Sequence, residues 1–169
     1  MLYRYKGKLY PEYLKEWRAV ANITPAAAHF CKGQGLDIGA GATPYPGAIP
    51  IDILDDSPWG AMTLPEGPFD YVFSSHCLEH LDDPIGALEL WIARLHPGGV
   101  LFLYLPHPDM EYWLPQNNRK HRHAWRPDDV VKILGDLGLC DITNSERDAY
   151  WSFYVAGIKP IDGESPETD

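Results

Sequence analysis

Four short apolar runs constrain this chain most: Gly35 to Ile38, Ile49 to Ile53, Tyr71 to Phe73 and Val100 to Leu105. None alternates apolar with polar residues as a half-exposed strand does, so each suits a strand covered on both faces. Between the last two lies a helix signal. Asp82 or Asp83 can cap it, Pro84 suits its first position, and Ile85, Leu88, Trp91, Ile92 and Leu95 form one apolar face. His96-Pro97-Gly98-Gly99 should end it. A second amphipathic helix is predicted from about Pro127 to Leu137, with Val130, Val131 and Leu134 inward. Two strand-like stretches follow, about Asp141 to Asn144 and Trp151 to Ile158. Strands alternating with helices predict an α/β fold with right-handed crossovers and a doubly wound, mostly parallel sheet.

The N-terminal stretch reads as helical. Tyr13, Leu14, Trp17 and Val20 recur at helical spacing over Tyr10 to Asn22. Thr24 and Pro25 look like an N-cap and a first turn, opening a second short helix to about Cys31 before Gly33 and Gly35 stop it. The polar, acidic end, residues 162–169, is expected to fray.

The chain of 169 residues, 45% hydrophobic, is long enough for one domain with a real core. Its net charge of −10 disfavours nucleic acid as a partner, because phosphate backbones recruit Lys and Arg. One basic island runs against that trend: Arg119, Lys120, His121, Arg122, His123 and Arg126. It could meet an anionic group on a small-molecule acceptor, or it could be a solvated loop. No apolar run approaches membrane-spanning length, and no h-region opens the chain. Cys31, Cys77 and Cys140 are too scattered for a disulfide framework or a zinc ribbon, and read as reduced thiols of a cytoplasmic protein.

The chemistry-bearing residues begin with Leu36-Asp37-Ile38-Gly39-Ala40-Gly41. A strand there ends in an acid and then a glycine turn, which lets a ligand approach the backbone closely at the carboxyl edge of a sheet. Asp52 closes the next strand, where a carboxylate can accept hydrogen bonds from ribose hydroxyls. A nicotinamide dehydrogenase is the competing reading. The glycine pattern of that class fails here, since Pro44 stands three positions after Gly41. Asp52 follows Gly41 by eleven positions with three prolines between, too few for a full crossover helix aimed at a pyrophosphate.

Phe69-Asp70-Tyr71-Val72-Phe73-Ser74-Ser75-His76-Cys77-Leu78-Glu79-His80 comes next, then the capped helix, then Leu95-His96-Pro97-Gly98-Gly99-Val100-Leu101. Taken in this order, these segments resemble class I S-adenosylmethionine-dependent methyltransferases, especially the small type 11 branch with its LDxGxG, FDxVxSxxxLEH and LxPGGxL. The resemblance runs from about Gly35 to Ile158. It implies a Rossmann-like sheet of seven strands and a methyl transfer from S-adenosylmethionine, leaving S-adenosylhomocysteine. Residues 35–161 would then be the methyltransferase domain, with residues 1–34 a helical segment packed on it. By the same resemblance Asp37, Gly39, Ala40 and Gly41 surround the methionine part of the cofactor, and Asp52 with Ile53 takes the ribose side. Ser74 and Ser75 offer backbone carbonyls to its amino group, while His76, Glu79 and His80 open the segment that lines the substrate side.

One departure stands out. Relatives often carry an acid just before an Ala-x-x-Leu-Pro segment, where it reaches the adenine amine; here Gly60 precedes Ala61-Met62-Thr63-Leu64-Pro65. Ala61 and Met62 are left to flank adenine by backbone and packing.

His76-Cys77-Leu78-Glu79-His80 also matches the H-x-x-E-H string of one class of zinc protease. That reading needs the string on a long helix, whereas here it lies between a strand and Asp82-Asp83-Pro84. A zinc hydrolase is therefore the remote alternative, and no metal ligand is assigned; His121 and His123 are a weaker pair of the same kind. A nearer alternative is a cofactor-binding module or partner subunit without catalysis.

The loop after the fifth run is dense in polar and aromatic residues: His107, Asp109, Tyr112, Trp113, Asn118, His121, His123 and Trp125. Loops at a carboxyl edge build substrate sites. It is similar to an insertion in methyltransferases that act on sugars or other small polar acceptors. Transfer to a hydroxyl benefits from a general base. His107 is the first candidate, Asp109 its orienting partner or a second base, and His76 the next choice. His80, Tyr112, Trp113 and His123 are the expected acceptor contacts.

Overall fold

A computed structural model describes residues 2–5, 7–11, 18–53 and 57–161. The chain opens with a two-stranded antiparallel hairpin, β1 (Leu2–Tyr5) and β2 (Lys8–Pro11), turning at Gly7 with φ +82°. Helix α1 (Ala19–Phe30) follows. Then come β3 (Gly35–Ile38), β4 (Ile49–Ile51), β5 (Phe69–Ser75), α2 (Pro84–Ala93), β6 (Leu95–Pro106), α3 (Pro127–Asp136), β7 (Cys140–Asn144) and β8 (Ser152–Ile158).

The main sheet has the order β4-β3-β5-β6-β8-β7. Its first four strands are parallel, and β8 runs antiparallel to both β6 and β7. The fold is thus α/β and Rossmann-like, as anticipated, but six strands stand in it among the described residues rather than seven. Between Ile51 and Phe69 the described residues pair only as the isolated Gly60–Thr63 bridge, not as a strand of the sheet.

Alternation along each strand divides the sheet into an aromatic and an aliphatic face. Tyr71, Phe73, Phe102 and Tyr104 point to one side and pack with Ile23, Ala27 and Tyr45 under α1. Tyr45 stacks on Phe73 at 4.5 Å between centroids, Phe73 on Phe102 at 5.7 Å, and Phe102 on Tyr154 at 5.2 Å. Val72, Leu101, Leu103 and Leu105 point the other way, against Leu88 and Trp91 of α2 and Val130 and Leu134 of α3. Both faces are therefore covered, which is why these strands read as continuous apolar runs.

Helix α2 begins as its sequence predicts. Asp83 Oδ1 accepts the Gly86 N–H at 2.9 Å, and Pro84 occupies the first turn. Its end differs from expectation. Strand β6 already starts at Leu95, and the His96-Pro97-Gly98-Gly99 stretch forms an irregularity in its pairing with β5, with Gly98 at φ +80°.

The N-terminal reading needs correction. Leu2–Tyr5 and Lys8–Pro11 form the hairpin, not part of a helical segment, and Tyr13, Leu14 and Trp17 lie outside the described residues. No break occurs at Thr24 either. Helix α1 runs through Pro25, and Thr24 Oγ donates back to the Val20 carbonyl at 2.7 Å instead of capping a new helix. Pro25 forfeits one helical hydrogen bond; the burial of Ile23 and Ala27 on the aromatic face offsets it. Residues 162–169 lie outside the described residues. No helix among the described residues is long and apolar enough to cross a membrane, and Cys31, Cys77 and Cys140 are free thiols.

Candidate functional site

Parallel register sets the site. Ile38 of β3 pairs with Ile51 of β4 on one side and with Ser74 of β5 on the other. The residues that follow, Gly39 to Gly41, Asp52 and Ser75-His76, therefore emerge together at the carboxyl edge of the sheet.

The glycine turn is fixed by β4. Gly39 N–H donates to the Ile51 carbonyl at 2.9 Å, and Gly41 N–H donates to Asp52 Oδ2 at 2.8 Å. Gly39 has φ +80°, and a Cβ there would lie 2.5 Å from Cys77 Cβ, so the turn tolerates no side chain on that side. Gly41 has φ +54° and open space where a Cβ would stand. This is a cradle that a ligand can enter.

Asp37 lies beneath that cradle and is 1% exposed. Its Oδ2 accepts the Tyr45 N–H at 2.7 Å, while Oδ1 is buried with no hydrogen-bond partner. Burial pushes its carboxyl up to about 6; the Tyr45 hydrogen bond opposes this and nearby Asp52 adds to it. A half-satisfied buried carboxylate at a sheet edge is suited to receive a cationic or hydrogen-bonding group. Ser74 Oγ is committed to the Ile38 carbonyl at 2.8 Å, whereas Ser75 Oγ is buried and unpartnered.

Beside Asp52, the Ile53 side chain is 82% exposed and Met62 51% exposed. They belong to one neighbourhood, since a Cβ on Gly60 would stand 3.0 Å from Ile53 Cγ2. Gly60 and Thr63 exchange both backbone hydrogen bonds, and Trp91 Nε1 donates to the Ala61 carbonyl at 2.7 Å. The backbone of Gly60 and Ala61 is thus already engaged within the protein, which leaves the exposed side chains to meet a planar apolar ligand.

A second group of side chains follows β5 and β6. His76 sits at φ +50°, a strained conformation for a residue other than glycine. Its ring is edge-on to Tyr104 and to Trp113, and Nε2 donates to Ser152 Oγ at 3.0 Å, because that hydroxyl spends its own proton on the Tyr150 carbonyl. Burial, then the neighbouring His121 and His80, push His76 down to about 3. Glu79 is fully buried, neither carboxylate oxygen has a hydrogen-bond partner, and burial pushes it up to about 8. His80 and His121 meet edge to face at 4.8 Å.

His107 stands at the end of β6, edge-on to Phe153. Its Nδ1 accepts the Asp109 N–H at 3.2 Å and lies 3.6 Å from Asp109 Oδ2. Asp109 Oδ1 lies 3.6 Å from Arg126 Nη2. Tyr112 is 44% exposed on a 3₁₀ turn, Glu111–Trp113. His123 stacks on Trp125 and its Nε2 donates to the Leu81 carbonyl at 2.9 Å, which ties its loop to the turn after β5.

The family described as "Methyltransferase domain" matches residues 13–144, most of the chain. The chain belongs to the class I S-adenosylmethionine-dependent methyltransferases. A curated relative, the ubiquinone biosynthesis O-methyltransferase of Caulobacter vibrioides, is 31% identical over 126 residues, covering 67% of this chain and 44% of that protein. The chain thus matches less than half the length of that relative. Among solved structures, an Archaeoglobus fulgidus S-adenosylmethionine-dependent methyltransferase superposes with a TM-score of 0.63 at 16% identity, over 83% of this chain and 92% of that one. A Haloferax volcanii methyltransferase in complex with the activator Trm112 gives 0.66 at 14%, over 88% and 92%. Burkholderia thailandensis 1,6-didemethyltoxoflavin-N1-methyltransferase, with its acceptor and S-adenosylhomocysteine bound, gives 0.65 at 16%, over 89% and 82%. These likenesses concern the fold.

The edge described above fits the cofactor of such a methyltransferase. A Cβ-free cradle, the orphan oxygen of Asp37 and the exposed pair Ile53 and Met62 offer a polar end and an apolar end to one elongated ligand. Sequence reasoning missed the convergence of Glu79, His80 and His121, because the loop that carries His121 gives no local signal of its path.

Proposed function

We propose that this methyltransferase transfers the methyl group of S-adenosylmethionine to an oxygen of a small polar acceptor. When bound, the cofactor supplies an electrophilic methyl on a sulfonium. Asp37, Gly39, Ala40 and Gly41 would hold its amino-acid part, Ser74 and Ser75 would close that side, Asp52 would take the ribose, and Ile53, Ala61 and Met62 would flank adenine. The observation that carries this reading is the unpaired Oδ1 of Asp37 beneath the Gly39–Gly41 turn. A buried carboxylate oxygen with no partner is costly, and a ligand ammonium relieves that cost.

On the acceptor side the hydrogen bonding favours Asp109, expected as orienting partner or second base, over His107 as the base. The Asp109 N–H bond to Nδ1 places the proton of neutral His107 on Nε2. His107 is thereby suited to donate a hydrogen bond to the acceptor oxygen, not to take its proton. Asp109, about half exposed and 3.6 Å from His107 Nδ1, is the better placed base. His76 is committed to Ser152 and serves as a wall with Trp113. The aromatic Tyr112 and Trp113 and the basic Arg126 favour a sugar-like or anionic hydroxyl compound.

The test is an acceptor screen read by S-adenosylhomocysteine release, beginning with sugars and small hydroxy acids. Turnover that falls in both Asp109→Asn and His107→Ala supports the reading. Cofactor binding without turnover on any acceptor favours a non-catalytic partner subunit instead.

A further inference from the structure

The fully buried carboxylate of Glu79 is a problem that methyl transfer does not solve. Neither oxygen accepts a hydrogen bond, and nearly all buried polar groups do. The groups that face it are histidines. His80 Nε2 and His76 Nδ1 each lie 3.7 Å from Glu79 Oε1, beyond hydrogen-bond distance but close to the separation of two ligands on one metal ion. His121 brings a third ring, and its Nδ1 is also buried without a partner. Ligand atoms of Glu79, His80 and His121 all lie within 4.8 Å of one another.

The outer hydrogen bonds decide which nitrogens are free. His80 Nδ1 donates to the Lys120 carbonyl at 2.7 Å, which leaves the Nε2 lone pair facing Glu79. His121 Nδ1 is buried and has no hydrogen-bond partner. Histidines that bind metals are commonly oriented as His80 is, donating the second N–H to a carbonyl or carboxylate. Two imidazole lone pairs and a carboxylate aimed at one point repel each other unless a cation lies between them.

We propose that Glu79, His80 and His121 form a binding site for one borderline divalent cation of the zinc type. Two imidazoles and a carboxylate suit zinc and its neighbours in the transition series better than magnesium or calcium, which prefer all-oxygen shells. The His80 side chain is 32% exposed and gives the ion a way in. Three protein ligands leave a coordination position open. The arrangement is not that of an H-x-x-E-H hydrolase. His76 turns its Nε2 to Ser152, Glu79 is a ligand and not a base, and the third ligand comes from a distant loop. The ion would tie the turn after β5 to the loop after β6, which is already docked by the Arg122 N–H bond to the Glu79 carbonyl at 2.8 Å and the Arg122–Asp82 ion pair at 2.9 Å.

The test uses the full chain, stripped with a chelator under native conditions and reloaded with Zn²⁺ or Co²⁺. Metal content, the visible Co²⁺ spectrum and the thermal shift on reloading are read together. Wild type is expected to retain one ion per chain after gel filtration and to show Co²⁺ bands of low coordination number. Glu79→Gln and His121→Gln should each weaken binding by more than about 100-fold, beyond the 10–100-fold typical of losing an outer partner. His96→Gln, at an exposed position, should leave it unchanged. Metal-free Glu79→Gln should melt no lower than metal-free wild type, since it exchanges a buried carboxyl that has no hydrogen-bond partner for a neutral amide of the same shape, and so shows that the fold survives. Retention below about a tenth of an equivalent by wild type overturns the proposal. So does stoichiometric binding whose affinity in both Glu79→Gln and His121→Gln equals that of wild type.

Discussion

Gly41 N–H donates to Asp52 Oδ2 across 2.8 Å, joining the glycine turn after β3 to the residue that follows β4. The short connection between these two residues replaces a crossover helix with a direct strap. It holds the carboxylate at the carboxyl edge, where a ribose would meet it. Asp52→Asn keeps an oxygen for Gly41 but loses the charge, and Asp52→Ala loses both. Hydrogen bonds to charged groups contribute about 1.5–3 kcal/mol each. Cofactor affinity should fall about 10-fold in Asp52→Asn and about 100-fold in Asp52→Ala, measured by calorimetric titration.

The two glycines of the turn should separate stability from binding. At Gly39 an alanine faces both φ +80° and the Cys77 side chain at 2.5 Å, so Gly39→Ala should destabilise the fold by roughly 2–4 kcal/mol. At Gly41 the space is open and only the conformational cost of about 1–2 kcal/mol remains. Denaturant unfolding should rank them in that order, while titration of the folded Gly41→Ala variant should still show loss of cofactor affinity.

Asp37 predicts a pH dependence whose sign is opposite to that of a paired carboxylate. Its folded value, about 6, lies above its ordinary value, so the native state holds its proton longer than the unfolded chain. Its contribution to stability is therefore full below about pH 4 and declines as pH rises toward 6. Cofactor binding favours the ionised form, so affinity should rise over the same window. Asp37→Asn should abolish this dependence in melting curves, melt at least as high as wild type at pH 7, and bind cofactor more than about 10-fold more weakly.

Trp91 is fully buried, and its Nε1–H bond to the Ala61 carbonyl at 2.7 Å ties α2 to the segment carrying Met62. Trp91→Phe removes the donor and part of the ring. It should cost about 1–3 kcal/mol in stability and several-fold in cofactor affinity, seen as a raised KM for S-adenosylmethionine with kcat nearly kept.

Where the pattern was local, the sequence was legible. The run Gly35–Ile38 is β3 to the residue, and Asp83-Pro84 starts α2, because capping and strand burial are written in neighbouring positions. Pro25 misled because a local breaker was outweighed by burial of Ile23 and Ala27, a tertiary effect. The N-terminal hairpin is marked only by Gly7 between two tyrosine-bearing runs, beside the helical spacing of the residues that follow. The meeting of Asp37, Gly39, Gly41 and Asp52 at one edge of the sheet was readable, since each sits at or just past a strand end. The hydrogen bond from the Asp109 N–H to His107 Nδ1, which fixes the tautomer on which the proposed role rests, was not. Nor was the meeting of His121 with Glu79, which rests on the path of a long loop.

The most direct test of the central claim is calorimetric titration of the purified chain with S-adenosylmethionine and S-adenosylhomocysteine, beside Asp52→Ala. The account predicts one site per chain with micromolar affinity for both ligands, weakened about 100-fold in the variant. A folded wild-type protein that binds neither ligand, or a variant that binds both as tightly as wild type, contradicts it.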